Sequence, residues 1–205
     1  CRVYPNGQAD INHFHAAGGT GNLFNELLSA GFMHAEAMTV WGKNFSSFNQ
    51  QAGLKDNKLV WHDAPASSHD PEVLASADAP FASEGGLRLL KGNLGKGIIK
   101  VSAVAEQHRI VEAPAVIIDS QDELKPLFES GALDRDSIIV VRFQGPRANG
   151  MPELHKLTPL LSSLQDKGYR VALVTDGRMS GASGKVPAVV HLVPEAAQGG
   201  SLAKL

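Results

Sequence analysis

The sequence predicts an α/β fold, on three observations. Short β-branched runs of strand length recur along the second part of the chain, most strongly Ser-Ile-Ile-Val-Val-Arg-Phe at 137–143. Apolar residues at helical spacing lie between such runs, as in Leu160, Leu161 and Leu164. Gly-rich polar loops follow two of the strands, and strand carboxyl ends are where α/β folds place their sites. Strands and helices mix without a strict βαβ repeat, and there is no internal repeat or low-complexity tract.

In chain order, Thr20 to Gly31 reads as a helix, with Leu23, Phe24, Leu27 and Leu28 as its apolar stripe. Thr20 is its expected N-cap and Gly31 its stop. Residues 63–86 are rich in Ala, Ser, Pro and Asp, with Pro65, Pro71 and Pro80, and read as an irregular connection between two units. Ile98 to Val104 and Ile110 to Ile118 read as strands. Asp119 or Ser120 caps a short helix carrying Leu124, Leu127 and Phe128, which ends near Gly131 and which Pro126 kinks or shortens. After the strand at 137–143, Thr158 caps a helix with Pro159 at its first position and Gly168 as its stop. Arg170 to Thr175 and Val186 to Leu192 are the last strands.

Composition narrows the function classes. The chain has 205 residues, enough for one large or two small domains, and a formal net charge of −2. That balance gives no electrostatic reason to expect nucleic acid or an anionic membrane as partner. A single cysteine excludes a disulfide framework, and any thiolate cluster built from these residues alone. No apolar run approaches the roughly 18 residues that span a bilayer, and no basic-then-apolar leader is present, so a cytoplasmic setting is expected. The start at Cys1 and the end at Leu205, just past Gln198-Gly199-Gly200, read as the edges of a fragment.

The loop at 145–156 follows the strand at 137–143 and gathers Arg147, Glu153, His155 and Lys156 among glycines and prolines. The loop at 176–185 follows the strand at 170–175 and carries Asp176, Arg178, Ser180, Ser183 and Lys185. Glycines let backbone N–H groups approach an anion closely. Neither loop has the spacing of a phosphate-binding Walker loop or of a Gly-x-Ser-x-Gly nucleophile elbow. From residue chemistry alone these are polar sites suited to an anionic ligand. Ordinary readings stand beside that one: Asp176 as a turn or cap residue, Ser180 as a loop hydroxyl, Glu153 as a first-turn helix acid. The eight histidines form no metal-ligand spacing.

At these loops the sequence becomes specific. Thr-Asp-Gly-Arg-Met-Ser-Gly-Ala-Ser at 175–183 resembles the C-terminal signature of the dihydroxy-acid and 6-phosphogluconate dehydratase family. So do Arg-Phe-Gln-Gly-Pro…Gly-Met-Pro-Glu at 142–153 and Lys-Gly-Asn-Leu-Gly at 91–95 with Lys-Val-Ser at 100–102. The stretches at 4–14, 101–104, 112–116 and 184–191 resemble the phosphogluconate branch more than the branched-chain amino-acid branch. The resemblance runs through nearly all of the chain.

It implies a hydro-lyase that dehydrates 6-phospho-D-gluconate to 2-dehydro-3-deoxy-6-phosphogluconate in the Entner–Doudoroff pathway. It implies an iron–sulfur cluster, of 4Fe-4S type, whose ligands lie in an N-terminal half not represented here, and a short C-terminal tail beyond Leu205. By the same resemblance Glu153 matches a ligand of a divalent metal, Mg2+, and Ser180 matches the general base. Asp176 and Arg178 match supporting signature positions. Arg147, Lys156 and Lys185 are candidates for the 6-phosphate by charge and location. His13 and the Gly18-Gly19-Thr20 segment match a motif near the family's active site. No role passes to Ser183, because Ala182 departs from the pattern.

For architecture the resemblance implies a swivelling β/β/α domain with a barrel-like mixed sheet over residues 80–205. Residues 1–75 would be the end of an N-terminal α/β domain, apt to expose apolar surface when separated from its sheet. The fragment alone is expected to be inactive, and the complete enzyme to be a homodimer. Two alternatives stay open: another sugar-acid or dihydroxy-acid dehydratase of the family, and a non-catalytic module that binds sugar-acid phosphates.

Overall fold

A computed structural model describes residues 1–4, 6–42, 44–179 and 184–205, apart from the Ser46 side chain. The chain divides into two compact units, Cys1–Glu84 and Gly85–Leu205.

In the first unit, α1 (Ile11–Ala16) begins at Asp10, whose carboxylate accepts from the backbone amides of Asn12 and His13 at 2.8 and 3.0 Å. The His13 backbone hydrogen bond holds the Asp10 carboxyl below its ordinary range. Helix α2 spans Gly19–Ser29 and starts a residue before the expected Thr20 cap, because Gly18 takes the capping position at φ 131°, which only glycine adopts freely. Gly31, at φ 72°, is the stop that the sequence predicts. A hairpin follows, β1 (Gln50–Lys55) against β2 (Lys58–Asp63), turning on Asp56 and Asn57, both at positive φ as a tight primed turn requires. Ala17, Val73 and Leu74 form a small core. Much apolar surface stays in solvent: Val40 is 94% exposed, and Phe32, Met38, Leu54, Leu59, Trp41 and Trp61 are exposed too. Trp41 stacks on Phe48 at 4.9 Å and meets Trp61 edge-on at 5.3 Å.

The second unit is a six-stranded mixed sheet with order β3-β4-β8-β7-β6-β5. Its strands are β3 (Leu87–Gly92), β4 (Gly95–Lys100), β5 (Ala115–Ile118), β6 (Ser137–Val141), β7 (Val171–Thr175) and β8 (Ala188–Val193). Strands β5 to β8 run parallel, and the β3–β4 hairpin adds to β8 antiparallel. Among the described residues β3 and β5 are edges that do not pair with each other, so the sheet is open and the implied barrel-like closure is not seen. Alternation along β6 sets the layers. Ile139 and Val141 face a core shared with α3 (Leu124–Glu129) and α5 (Leu157–Asp166), while Val140 faces Leu192 and Leu202 on the opposite side. A short turn of helix, α4 (Pro146–Asn149), lies between β6 and α5.

Several boundaries differ from the sequence reading for local reasons. The expected strand at 110–118 shortens to β5, just past Pro114, which has no N–H to give a ladder. The expected strand at 98–104 shifts to β4 because Gly95, at φ 130°, closes a turn with β3. The strand at 137–143 stops at Val141, and Phe143 sits in the left-handed region at φ 57°. Thr158 is not a cap: it is buried within the first turn of α5. Ser120 does cap. Its hydroxyl accepts from the Asp122 amide at 3.2 Å, and the Glu123 carboxylate accepts from the Ser120 amide at 2.9 Å. Pro126 then falls early in α3, where a missing N–H costs little.

Leu164 of α5 is fully buried in the helix-covered core. Leu164→Ala is expected to destabilise the protein by about 2–5 kcal/mol in denaturant unfolding. A loss below about 1 kcal/mol would mean that this layer is not the close-packed core described.

Candidate active site at the parallel strand ends

The parallel strands β5 to β8 all deliver their following loops to one end of the sheet. These loops are tied together by buried side chains. Asp176, the first residue after β7, is 1% exposed. Its Oδ1 accepts the Gln144 amide from the loop after β6, and its Oδ2 accepts the Ala196 amide from the loop after β8, both at 2.9 Å. The Gln144 side chain continues the tie: its Nε2 donates to the Asp119 carbonyl after β5 at 2.6 Å, and its Oε1 accepts from Asn149 at 3.0 Å. Arg142 forks onto the Asp119 carboxylate at 2.8 and 3.2 Å, and a third nitrogen donates to the Leu205 carbonyl at 2.8 Å. Gly177 packs so closely that an added Cβ would lie 2.6 Å from the Gln144 Cβ. Its N–H donates to the buried Thr175 hydroxyl at 3.0 Å.

The two loops singled out in the sequence meet directly. Glu153 and Arg178 form an isolated parallel bridge, in which the Leu154 amide donates to the Arg178 carbonyl at 3.2 Å. The Arg178 guanidinium donates to the Glu153 carboxylate at 2.9 Å and to the Met151 carbonyl at 2.9 Å. Met151 is another left-handed residue, at φ 56°; such strained positions recur at functional loops.

Ser180 and Ser183 lie outside the described residues; Ser180 directly follows the described Met179. Arg147 is exposed on α4, and among the described residues its guanidinium has no hydrogen-bond or ion-pair partner. Lys156 pairs with Asp122 at 2.6 Å, and Lys185 pairs with Asp166, both at the surface. Such pairs are weak, so either lysine can exchange its partner for a ligand at small cost. His13 belongs to the first unit, where its Nδ1 pairs with Asp10 at 2.8 Å.

Sequence reasoning missed Glu195, which is 5% exposed, with its Oε2 accepting the Arg147 amide at 3.1 Å. A cavity of about 270 Å³ lies towards the helix-covered side, lined mainly by apolar residues including Leu87, Ile98, Leu161, Met179 and Val190.

Among the described residues no three His, Cys, Asp or Glu side chains come together as a metal centre. Cys1 is exposed and single, so these residues do not fit an iron–sulfur cluster. Glu153 is a hard oxygen donor of the kind a divalent cation takes, and it fits as one ligand of several. No helix among the described residues is long and apolar enough to cross a membrane.

Comparison with known proteins adds the family. The family described as dihydroxy-acid/6-phosphogluconate dehydratase C-terminal matches residues 72–205, and its N-terminal counterpart matches residues 1–48. The chain belongs to the dihydroxy-acid/6-phosphogluconate dehydratase family. A phosphogluconate dehydratase of Pseudomonas aeruginosa is 58% identical over 204 residues, and one of Escherichia coli is 52% identical over 204 residues. Each alignment covers 100% of this chain and 34% of the relative, so the chain spans about a third of the length of these dehydratases. A dihydroxy-acid dehydratase of Nitratidesulfovibrio vulgaris is 35% identical across 98% of the chain. The tied strand ends therefore belong to the family's C-terminal region.

Replacing Asp176 tests the tie. Asp176→Ala leaves two buried amides without an acceptor and is expected to cost about 3 kcal/mol or more in urea unfolding. Asp176→Asn keeps one carbonyl oxygen and should cost roughly half as much. Equal, small effects would show that the carboxylate does not bear these loops.

Proposed function

We propose that this segment forms part of a hydro-lyase that dehydrates 6-phospho-D-gluconate to 2-dehydro-3-deoxy-6-phosphogluconate, an Entner–Doudoroff reaction. The observation that carries the reading is the joining of the two signature loops through Glu153 and Arg178, two residues before Ser180 in sequence. The 52–58% identity to phosphogluconate dehydratases, against 35% to a dihydroxy-acid dehydratase, favours the phosphorylated sugar acid.

Two steps make the reaction hard: the C2 proton is weakly acidic and hydroxide leaves poorly. The chemistry that a divalent cation and an iron–sulfur cluster supply when bound is Lewis acidity at the carboxylate end and at the departing hydroxyl. In this reading Glu153 would be one oxygen ligand of the cation, and a cluster would need ligands beyond the single cysteine of these residues. Ser180 Oγ takes the C2 proton, which requires strong positive charge nearby to favour the alkoxide. Arg178 supplies part of that charge while orienting Glu153. Arg147, with an unoccupied exposed guanidinium among the described residues, contacts the 6-phosphate, and Lys156 and Lys185 are the secondary cations. His13, in the first unit, stays a substrate-binding candidate on the family resemblance alone. A cytoplasmic homodimer with a swivelling C-terminal domain belongs to the same proposal.

The test uses a full-length dehydratase containing this segment. Turnover of 6-phosphogluconate should exceed that of gluconate and of 2,3-dihydroxyisovalerate, and Ser180→Ala should remove it while bound iron stays unchanged. Preference for an unphosphorylated acid would overturn the substrate assignment. Retention of kcat within about tenfold in Ser180→Ala would overturn the base.

A further inference from the structure

A buried carboxylate outside the signature motifs remains to be explained. Glu195 lies just after β8, 5% exposed, and its Oε2 accepts the backbone N–H of Arg147 at 3.1 Å. Arg147 is the second residue of α4, where helix-type backbone leaves its amide without an internal partner. Such an amide is ordinarily satisfied by the side chain of the capping residue, but the capping residue here is Gly145. Pro146 follows it and has no N–H of its own.

The missing cap is supplied from another strand's loop. Gly145 has φ −73° and ψ 177°, which any residue adopts, so its backbone does not demand glycine. The demand comes from Glu195: a Cβ on residue 145 would lie 2.0 Å from the Glu195 Oε2 and 3.0 Å from its Cβ and Cδ. The glycine makes room for the carboxylate, and the carboxylate does what a side chain at 145 would have done.

We propose that Glu195 is a positioning residue that caps the α4 turn from across the sheet and so fixes where the Arg147 guanidinium is presented. This rests on the reading above, in which Arg147 meets the anionic end of the substrate. Losing the cap leaves Arg147 attached to a looser turn, which weakens substrate holding more than it slows proton removal.

The test compares Glu195→Ala, Glu195→Gln, Arg147→Ala and the Ala/Ala double variant in the full-length enzyme. Glu195→Ala should raise KM for 6-phosphogluconate about tenfold with kcat within about threefold. Glu195→Gln keeps an acceptor oxygen and should stay within about threefold of the parent in both constants. In the Arg147→Ala background, Glu195→Ala should add less than about twofold to KM. An equal fall in kcat, a Gln variant as impaired as the Ala variant, or a full effect without Arg147 would each overturn the proposal. Amide hydrogen exchange at Arg147 reads the cap without any turnover: it should speed at least about tenfold in Glu195→Ala and not in Glu195→Gln. Unchanged exchange overturns the cap even if the substrate assignment stands. If the parent enzyme does not act on 6-phosphogluconate, the functional reading falls and the exchange result still decides the cap.

Discussion

The Asp176 carboxylate is the interaction on which the rest of the site depends. Each of its oxygens accepts a backbone amide from a different neighbouring loop, and it is almost wholly buried. A parallel sheet brings strand ends side by side but does not fix the loops that leave them. Burying a carboxylate among those loops is unfavourable unless its charge is met by donors, and here the donors are the loop backbones themselves. The charge is tolerated only when the loops after β6 and β8 both sit in place, so their positions become correlated.

The neighbouring contacts extend this constraint in both directions along the sheet edge. Gln144 carries it to the end of β5 through the Asp119 carbonyl, and Arg142 carries it to the Leu205 carbonyl. Glu195 returns it to the loop after β6 at Arg147. Close packing sharpens the geometry, since Gly145 and Gly177 each leave space that a neighbouring side chain fills. Left-handed backbone at Phe143 and Met151 costs of the order of 1–3 kcal/mol each, and the surrounding bonds hold it. The outcome is a rigid platform from which Glu153, Arg178 and Arg147 project.

How legible this was in the sequence depended on whether the signal was local. The β-branched run at 137–141 and the leucines of α5 follow periods written along the chain, and both elements formed. The capping box of Ser120 and Glu123 is likewise a spacing rule. Strand β3, Leu-Arg-Leu-Leu-Lys-Gly, has no β-branched residue and forms because Gly95 folds β4 back on it. Thr158 had the residue type of a cap but is buried within α5, so tertiary packing overrode a local preference. Asp176 read equally well as a turn residue, because its two partners come from distant loops. Glu195 carried no local signal at all: its partner amide lies on another strand's loop, and the glycine that admits it looks in sequence like any loop glycine. The exposed Trp41, Trp61 and Val40 of the first unit match the expectation of bare apolar surface there.

The most direct test of the buried-carboxylate tie is residue-resolved amide hydrogen exchange at Gln144, Arg147 and Ala196 in the unmodified protein. These three amides donate to buried Asp176 and Glu195 rather than to a sheet or helix partner. They should exchange slowly, with protection comparable to that of the β6 and β7 core amides, and Gln144 and Ala196 should lose it together when Asp176 is replaced. Fast exchange at these positions beside a protected β6 and β7 would contradict it.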